Sequence, residues 1–133
     1  MTHSLNTAHL LYGVLGLMLF LGTGQYMQHV AEVPALTDSE RLMYRSGHLY
    51  IMFAFAANVF WSFRAAPTAI PNPLAWLCSL MLAVAPIAAT FSFFQEIGSV
   101  ELDRPIASLS LVLVFIAASL AAIGRGWAQW RGE

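Results

Sequence analysis

Residues 74–94 read LAWLCSLMLAVAPIAATFSFF, a run of 21 positions without one charged side chain. A helix of about 20 apolar residues is what a bilayer's hydrocarbon core requires, at 1.5 Å of rise per residue. Three further stretches approach that length, at about 8–27, 42–63 and 106–123. The connections between them, 29–40, 64–73 and 95–105, are short. Short links make consecutive helices antiparallel neighbours. The expected fold is therefore an all-α membrane protein, a four-transmembrane-helix up-down-up-down bundle. Residues 1–133 form a single domain, with both termini on one side.

Composition agrees. Hydrophobic residues make up 59% of the chain and charged residues 10%, against about a quarter charged in soluble domains; mean hydropathy is +0.67. A net charge of −1 argues against nucleic acid, which is usually met by a basic patch. The lipid bilayer is the first partner, and other membrane subunits or further copies of the chain are the next. Cys78 stands alone, so no internal disulfide can form, and its apolar surroundings suit a buried small hydrophobe. The first apolar run lacks a basic flank and exceeds the usual core of a signal peptide, so it reads as a retained helix.

Helix punctuation follows the same division. Pro71 and Pro73 precede the third span, and Pro105 suits a first helical turn. Thr37, Asp38 and Ser39 offer N-caps to the second span. Pro86 falls inside the third, where it removes a backbone hydrogen bond. Gly13, Gly16, Gly22 and Gly24 in the first span, and Ala117, Ala118, Ala121 and Ala122 in the fourth, allow close helix approach. Trp61, Trp76, Trp127 and Trp130 near one set of span ends suggest an interfacial belt.

Arginine does not decide orientation: Arg64, Arg125 and Arg131 lie at the end holding the termini, Arg41, Arg45 and Arg104 at the other. That other end also carries Glu32, Asp38, Glu40, Glu96, Glu101 and Asp103, so its arginines are expected to be paired. The reading adopted is a bacterial inner-membrane protein with cytoplasmic termini.

Ionisable side chains inside a span cost a few kcal/mol and are candidates for function. The second span opens Arg41-Leu42-Met43-Tyr44-Arg45-Ser46-Gly47-His48-Leu49-Tyr50, and Arg41, Tyr44, Arg45 and His48 share one helical face. Gln25, Tyr26 and His29 end the first span at the same membrane face, and Glu96 ends the third. The candidate ligand-binding cluster is Arg45, His48 and Glu96 with Gln25, Tyr26 and Tyr44. Two accounts fit it. In one, Glu96 pairs with Arg45 and His48 bonds to Gln25 or Tyr26, fixing helix register. In the other, the same residues bind an anion or move a proton. Asn58, deep in the second span, reads as interhelical hydrogen-bond glue. His3 and His9 read as interfacial.

Two cofactor readings remain open. His29 and His48 could ligate haem as paired histidines do, and His29, His48 and Glu96 could hold a transition metal, although their spacing matches no metal motif. The sequence names no cofactor. A small multidrug transporter is disfavoured, since those proteins use a membrane-embedded Glu in the first helix and none stands there.

The segments Thr23-Gly24-Gln25-Tyr26-Met27, Met43-Tyr44-Arg45-Ser46-Gly47-His48-Leu49-Tyr50 and Phe93-Phe94-Gln95-Glu96 together resemble a group of small four-helix bacterial inner-membrane proteins of uncharacterised function. The resemblance implies that the three segments belong together and carries no activity. Arg41, Arg45 and His48 are also weakly similar to the second helix of the glutathione-dependent four-helix membrane enzymes. Here the Arg-to-His spacing differs and no Glu follows in the span. A non-enzymatic accessory subunit or small-ligand binder is the functional expectation; the alternative is a membrane enzyme or a haem or metal protein built on His48.

Overall fold

The computed structural model describes residues 2–63, 72–97 and 103–130. Arg64, Glu101 and Arg131, counted above for topology, lie outside the described residues. Four helices account for nearly everything described: α1 Thr2–His29, α2 Asp38–Ser62, α3 Asn72–Gln95 and α4 Pro105–Trp130. One 3-10 turn, Val33–Ala35, joins α1 to α2.

Three of the helices are long and apolar enough to cross a membrane, over Leu5–His29, Pro73–Gln95 and Pro105–Gly124. The second helix, expected to be a fourth span, falls short of that standard. Its first turns carry Asp38, Glu40, Arg41 and Arg45, and His48 and Asn58 follow. Those polar groups dilute its apolar content. The start of α2 is nevertheless well marked. Thr37 caps it, and Glu40 reaches back to the Thr37 N–H at 3.0 Å, a reciprocal capping box. Hydrogen bonds from the Thr37 side chain and backbone hold the Glu40 carboxyl below its ordinary value.

Packing makes α2 the central helix, since it lies against α1, α3 and α4. Its buried residues Gly47, Ile51, Ala54, Phe55, Asn58 and Trp61 recur at three- and four-residue steps, the signature of one helical face. That face joins Ile51, Ala54 and Phe55 to Ala89, Phe93 and Ile97 of the α3 end in one core cluster. A second cluster near the other end contains Trp61, Cys78, Leu82 and Ala117. Trp61 is thus a core residue at 7% exposure and not part of a belt, whereas Trp76, Trp127 and Trp130 remain exposed.

Small residues let α1 lie close along α2. A Cβ added at Gly13 would come within 2.6 Å of Val59 and 2.9 Å of the Phe55 carbonyl, and one added at Gly16 would fall inside the Phe55 ring. With Gly24 against His48, these pairings run in opposite directions along the two chains over most of α1. Since Phe55 is buried and held edge-on to Tyr12, it cannot simply swing away. Gly16→Ala is expected to destabilise the bundle by about 2 kcal/mol through overpacking. Gly22→Ala, with nothing within 4 Å, is expected to be neutral when the two variants are compared by denaturant titration.

Pro86 sits fully buried inside α3 and supplies no N–H to the carbonyl one turn earlier. That carbonyl, Leu82 O, instead accepts from Asn58 Nδ2 of α2 at 2.8 Å. The neighbouring carbonyls are bonded too, Ala83 O by Tyr12 Oη of α1 at 2.9 Å and Ala85 O by Ser110 Oγ of α4 at 2.8 Å. The proline turn of α3 is therefore fastened by one side chain from each of the other three helices. In an apolar medium, freed backbone groups require such partners.

Candidate functional site

At the end of the bundle where α1 and α3 finish and α2 and α4 begin, Phe93 is the hub. It is 1% exposed, with Tyr26 and Tyr44 edge-on to it at 6.2 and 5.8 Å and His48 tilted against it at 6.5 Å. Three of the six candidate residues thus gather around one aromatic ring. Offset and edge-on geometries of this kind place positive ring edges against a negative ring face.

His48 does not bond to Gln25 or Tyr26. Its Nδ1 lies 3.0 Å from Thr23 Oγ1, and its ring stacks on Phe20 at 3.9 Å. The Thr23 hydroxyl already donates to the Phe20 carbonyl at 2.8 Å, so its oxygen accepts from His48, and Nδ1 carries the proton. Gly24 makes room for the ring, since its Cβ position lies only 3.4 Å from His48 Cε1.

Glu96 is 7% exposed, and its partners differ from the expected one. It accepts from the Ile106 and Ala107 backbone N–H groups at 2.7 and 3.0 Å, and from Ser92 Oγ one turn back. The carboxylate therefore caps α4, where the orphan N–H groups and the helix dipole favour an anion. Burial pushes its pKa up, but the Ser92, Ile106 and Ala107 hydrogen bonds and the Arg104 charge outweigh that, holding it below its ordinary value of 4.5.

The arginine facing Glu96 is Arg104, not Arg45. Arg104 donates from Nη1 to Ser46 Oγ at 3.0 Å and to the Met43 carbonyl at 3.4 Å, and lies over the Tyr50 ring at 5.9 Å. Its Nε and Nη2 are buried without a hydrogen bond. Gly47 gives it space, because a Cβ there would meet Nη2 at 2.9 Å. Arg45 and Gln25 are both exposed. Arg41, expected to be paired, does pair, with Asp38 on its own helix.

His29 is exposed at the end of α1. Among the described residues no group of three or more His, Cys, Asp and Glu side chains could hold a metal ion, so His29, His48 and Glu96 do not assemble into such a centre.

A second polar cluster lies towards the other end of the bundle, and sequence reasoning missed its centre. His9, read as interfacial, is 5% exposed. Its Nδ1 lies 2.7 Å from Asn58 Oδ1 and its Nε2 2.5 Å from Ser79 Oγ, tying α1 to α2 and α3. Asn58 donates both amide protons, to Ala54 O at 2.9 Å and to Leu82 O. Its Oδ1 is therefore an acceptor, and His9 Nδ1 must donate to it. In the neutral ring, Nε2 then accepts from the Ser79 hydroxyl. The available signal was that His9 shares a face with Gly13, Gly16 and Thr23, all turned towards α2.

Comparison with protein-family models, with curated proteins and with solved structures found no match to this chain.

Proposed function

We propose that this chain is a four-span protein of the bacterial inner membrane, with cytoplasmic termini, acting as a non-enzymatic accessory subunit of a larger membrane assembly. The observation that carries the subunit reading is the outer face of α1. Leu11, Leu15, Met18, Gly22, Gln25 and His29 are all exposed, and they alternate in four- and three-residue steps. That is the 3.5-residue period of a helix–helix seam. The seam lies opposite the face that packs on α2, and at Gly22 nothing stands within 4 Å. Lipid alone asks for apolar side chains. An amide at Gln25, about 6 Å inside the end of α1, is better matched by a polar group of a second helix.

Two further features support the reading. At the acidic face, Glu96 and Arg104 are committed to fastening helices, as Thr23 and His48 are, which fits a scaffold. The fourth span is supported by the pairing of α2 with α1 from His48–Thr23 to Asn58–His9. That paired length is about 15 Å of α2, half of a hydrocarbon core, and α2 continues beyond it at both ends. Within that paired length, the His48 and Asn58 side chains bond to α1 and α3 and are not presented to lipid.

The test uses a photo-crosslinking residue at Leu15 or Met18 in native membranes, with Phe115 of α4, also exposed, as the control. One defined adduct from α1, absent at Phe115 and weakened by Gln25→Leu, is expected. Mass spectrometry of that adduct distinguishes another subunit from a second copy of the chain. Equal or absent labelling at the α1 and α4 positions would sink the seam.

A further inference from the structure

Between the first half of α1 and the first half of α3 lies a groove of about 300 Å³. Its walls are Leu5 and Ala8 from α1 and Leu80 and Ala83 from α3, with the aromatic rings of Tyr12 and Trp76 alongside. Two polar side chains, His9 and Ser79, also line it, and these are 5% and 4% exposed. A concave, mostly apolar space with a few convergent polar groups is the usual form of a small-molecule site. This groove shares no residue with the outer seam of α1, so an inference from it stands independently of the subunit reading.

The hydrogen-bond inventory restricts what would fit. His9 Nδ1 donates to Asn58, and the Ser79 hydroxyl proton is taken by His9 Nε2. Tyr12 donates its own proton to the Ala83 carbonyl. Every buried donor in the groove is therefore occupied, whereas the Ser79 and Tyr12 oxygens keep lone pairs free, since a hydroxyl can accept as well as donate. The remaining polar group on the wall, the Trp76 indole N–H, belongs to a side chain that is 56% exposed. The interior thus offers acceptors and asks for a donor. Charge is disfavoured there, because burying an ion in apolar surroundings costs far more than burying a hydroxyl. The flat rings of Tyr12, Trp76 and His9 favour a planar partner that can stack or meet them edge-on.

We infer that the α1–α3 groove binds a neutral, lipid-soluble aromatic ring bearing a hydroxyl group, of the phenol or quinol class, with that hydroxyl donating to Ser79 Oγ beside His9. The ring lies against the apolar walls and the hydroxyl adds one bond to the end of the Asn58–His9–Ser79 chain. No covalent or redox step is involved.

The experiment uses the full chain in phosphatidylcholine nanodiscs and a matched set of fluorinated probes followed by ¹⁹F NMR. The probes are 4-(trifluoromethyl)phenol, its methyl ether, and 4-(trifluoromethyl)cyclohexanol. Saturable binding of the phenol is expected, roughly five- to tenfold tighter than the ether, the worth of about one hydrogen bond. The cyclohexanol should bind more weakly than the phenol. Ser79→Ala should lower the phenol to the affinity of the ether. Ala8→Phe, at an exposed wall position outside the hydrogen-bonded chain, should remove saturable binding of both while leaving thermal unfolding unchanged. Equal affinity of phenol and ether for the unmodified protein would overturn the donor assignment, and equal affinity of phenol and cyclohexanol the ring assignment. Saturable binding that survives Ala8→Phe, or that is absent from the unmodified protein, would overturn the site itself. The comparison of probes on the unmodified protein does not depend on any variant folding.

Discussion

Glu96→Ala is expected to lower the stability of the bundle by about 3 kcal/mol, measured by denaturant titration in mixed micelles. Two losses add up. The first is the cap on α4, where Ile106 and Ala107 lose their acceptor; a lost cap costs about 1–2 kcal/mol. The second is electrostatic. Arg104, with Nε and Nη2 buried and unbonded, would lose the facing carboxylate. A stranded buried charge costs several kcal/mol, but Arg104 is only half-buried, so about 1–2 kcal/mol is the appropriate share. Glu96→Gln keeps an acceptor and loses the charge, and should show about half the effect. The pH dependence has a defined sign. Because the folded pKa lies below 4.5, the carboxylate contributes its full stability above that value and loses it as pH falls through the folded pKa. Glu96→Gln should therefore show a flatter acid limb than the unmodified protein. A parallel acid limb in the two proteins would show that the charge on Glu96 does not matter.

Asn58→Leu is the second large effect expected, about 2–4 kcal/mol. A single interhelical hydrogen bond in a membrane averages only about 0.6 kcal/mol, so the two lost interhelical bonds, to His9 and Leu82, alone set a floor near 1. Two orphaned groups raise it. Leu82 O has no helical donor because Pro86 lies one turn on, and His9 Nδ1–H loses its acceptor. Unsatisfied buried groups cost about 1–3 kcal/mol each. The proline makes the claim separable. Pro86→Ala supplies the missing N–H, so in that background Asn58→Leu should cost roughly 1–2 kcal/mol less. Such a coupling, read from a double-mutant cycle, belongs to the Leu82 carbonyl alone. Additive single and double variants would mean that Asn58 does not serve the proline turn.

Some of this was written locally. Uncharged, mostly apolar runs at 74–94 and 106–123, prolines before helices and the Thr37–Glu40 spacing mark helix positions, because helix formation depends on near neighbours and on solvent. The four elements were legible for that reason, and Asn58 as interhelical glue followed from one amide deep in a span. The composition of α2 was harder to read. Its His48 and Asn58 are taken up by neighbouring helices, and hydropathy counts residues without knowing which face they occupy.

Pairing across the bundle was decided only by the tertiary structure. Arg41, Tyr44, Arg45 and His48 do share a face, but within it His48 meets α1 and Tyr44 meets α3, whereas Arg45 lies roughly 140° from the centre of the buried positions of α2 at 100° per residue. Glu96 therefore meets Arg104, which the short connection between α3 and α4 brings back onto the same corner. His9 finds partners 49 and 70 residues away, and His48 finds Thr23 in place of the expected Gln25 or Tyr26. Sequence alone determines which residues are helical and which faces are apolar, since those depend on backbone hydrogen bonds within a turn and on transfer from water. Which buried donor meets which acceptor depends on the relative rotation and depth of whole helices. Those are set by the close approach at Gly13 and Gly16, the proline turn at Pro86 and the cap at Glu96 acting together.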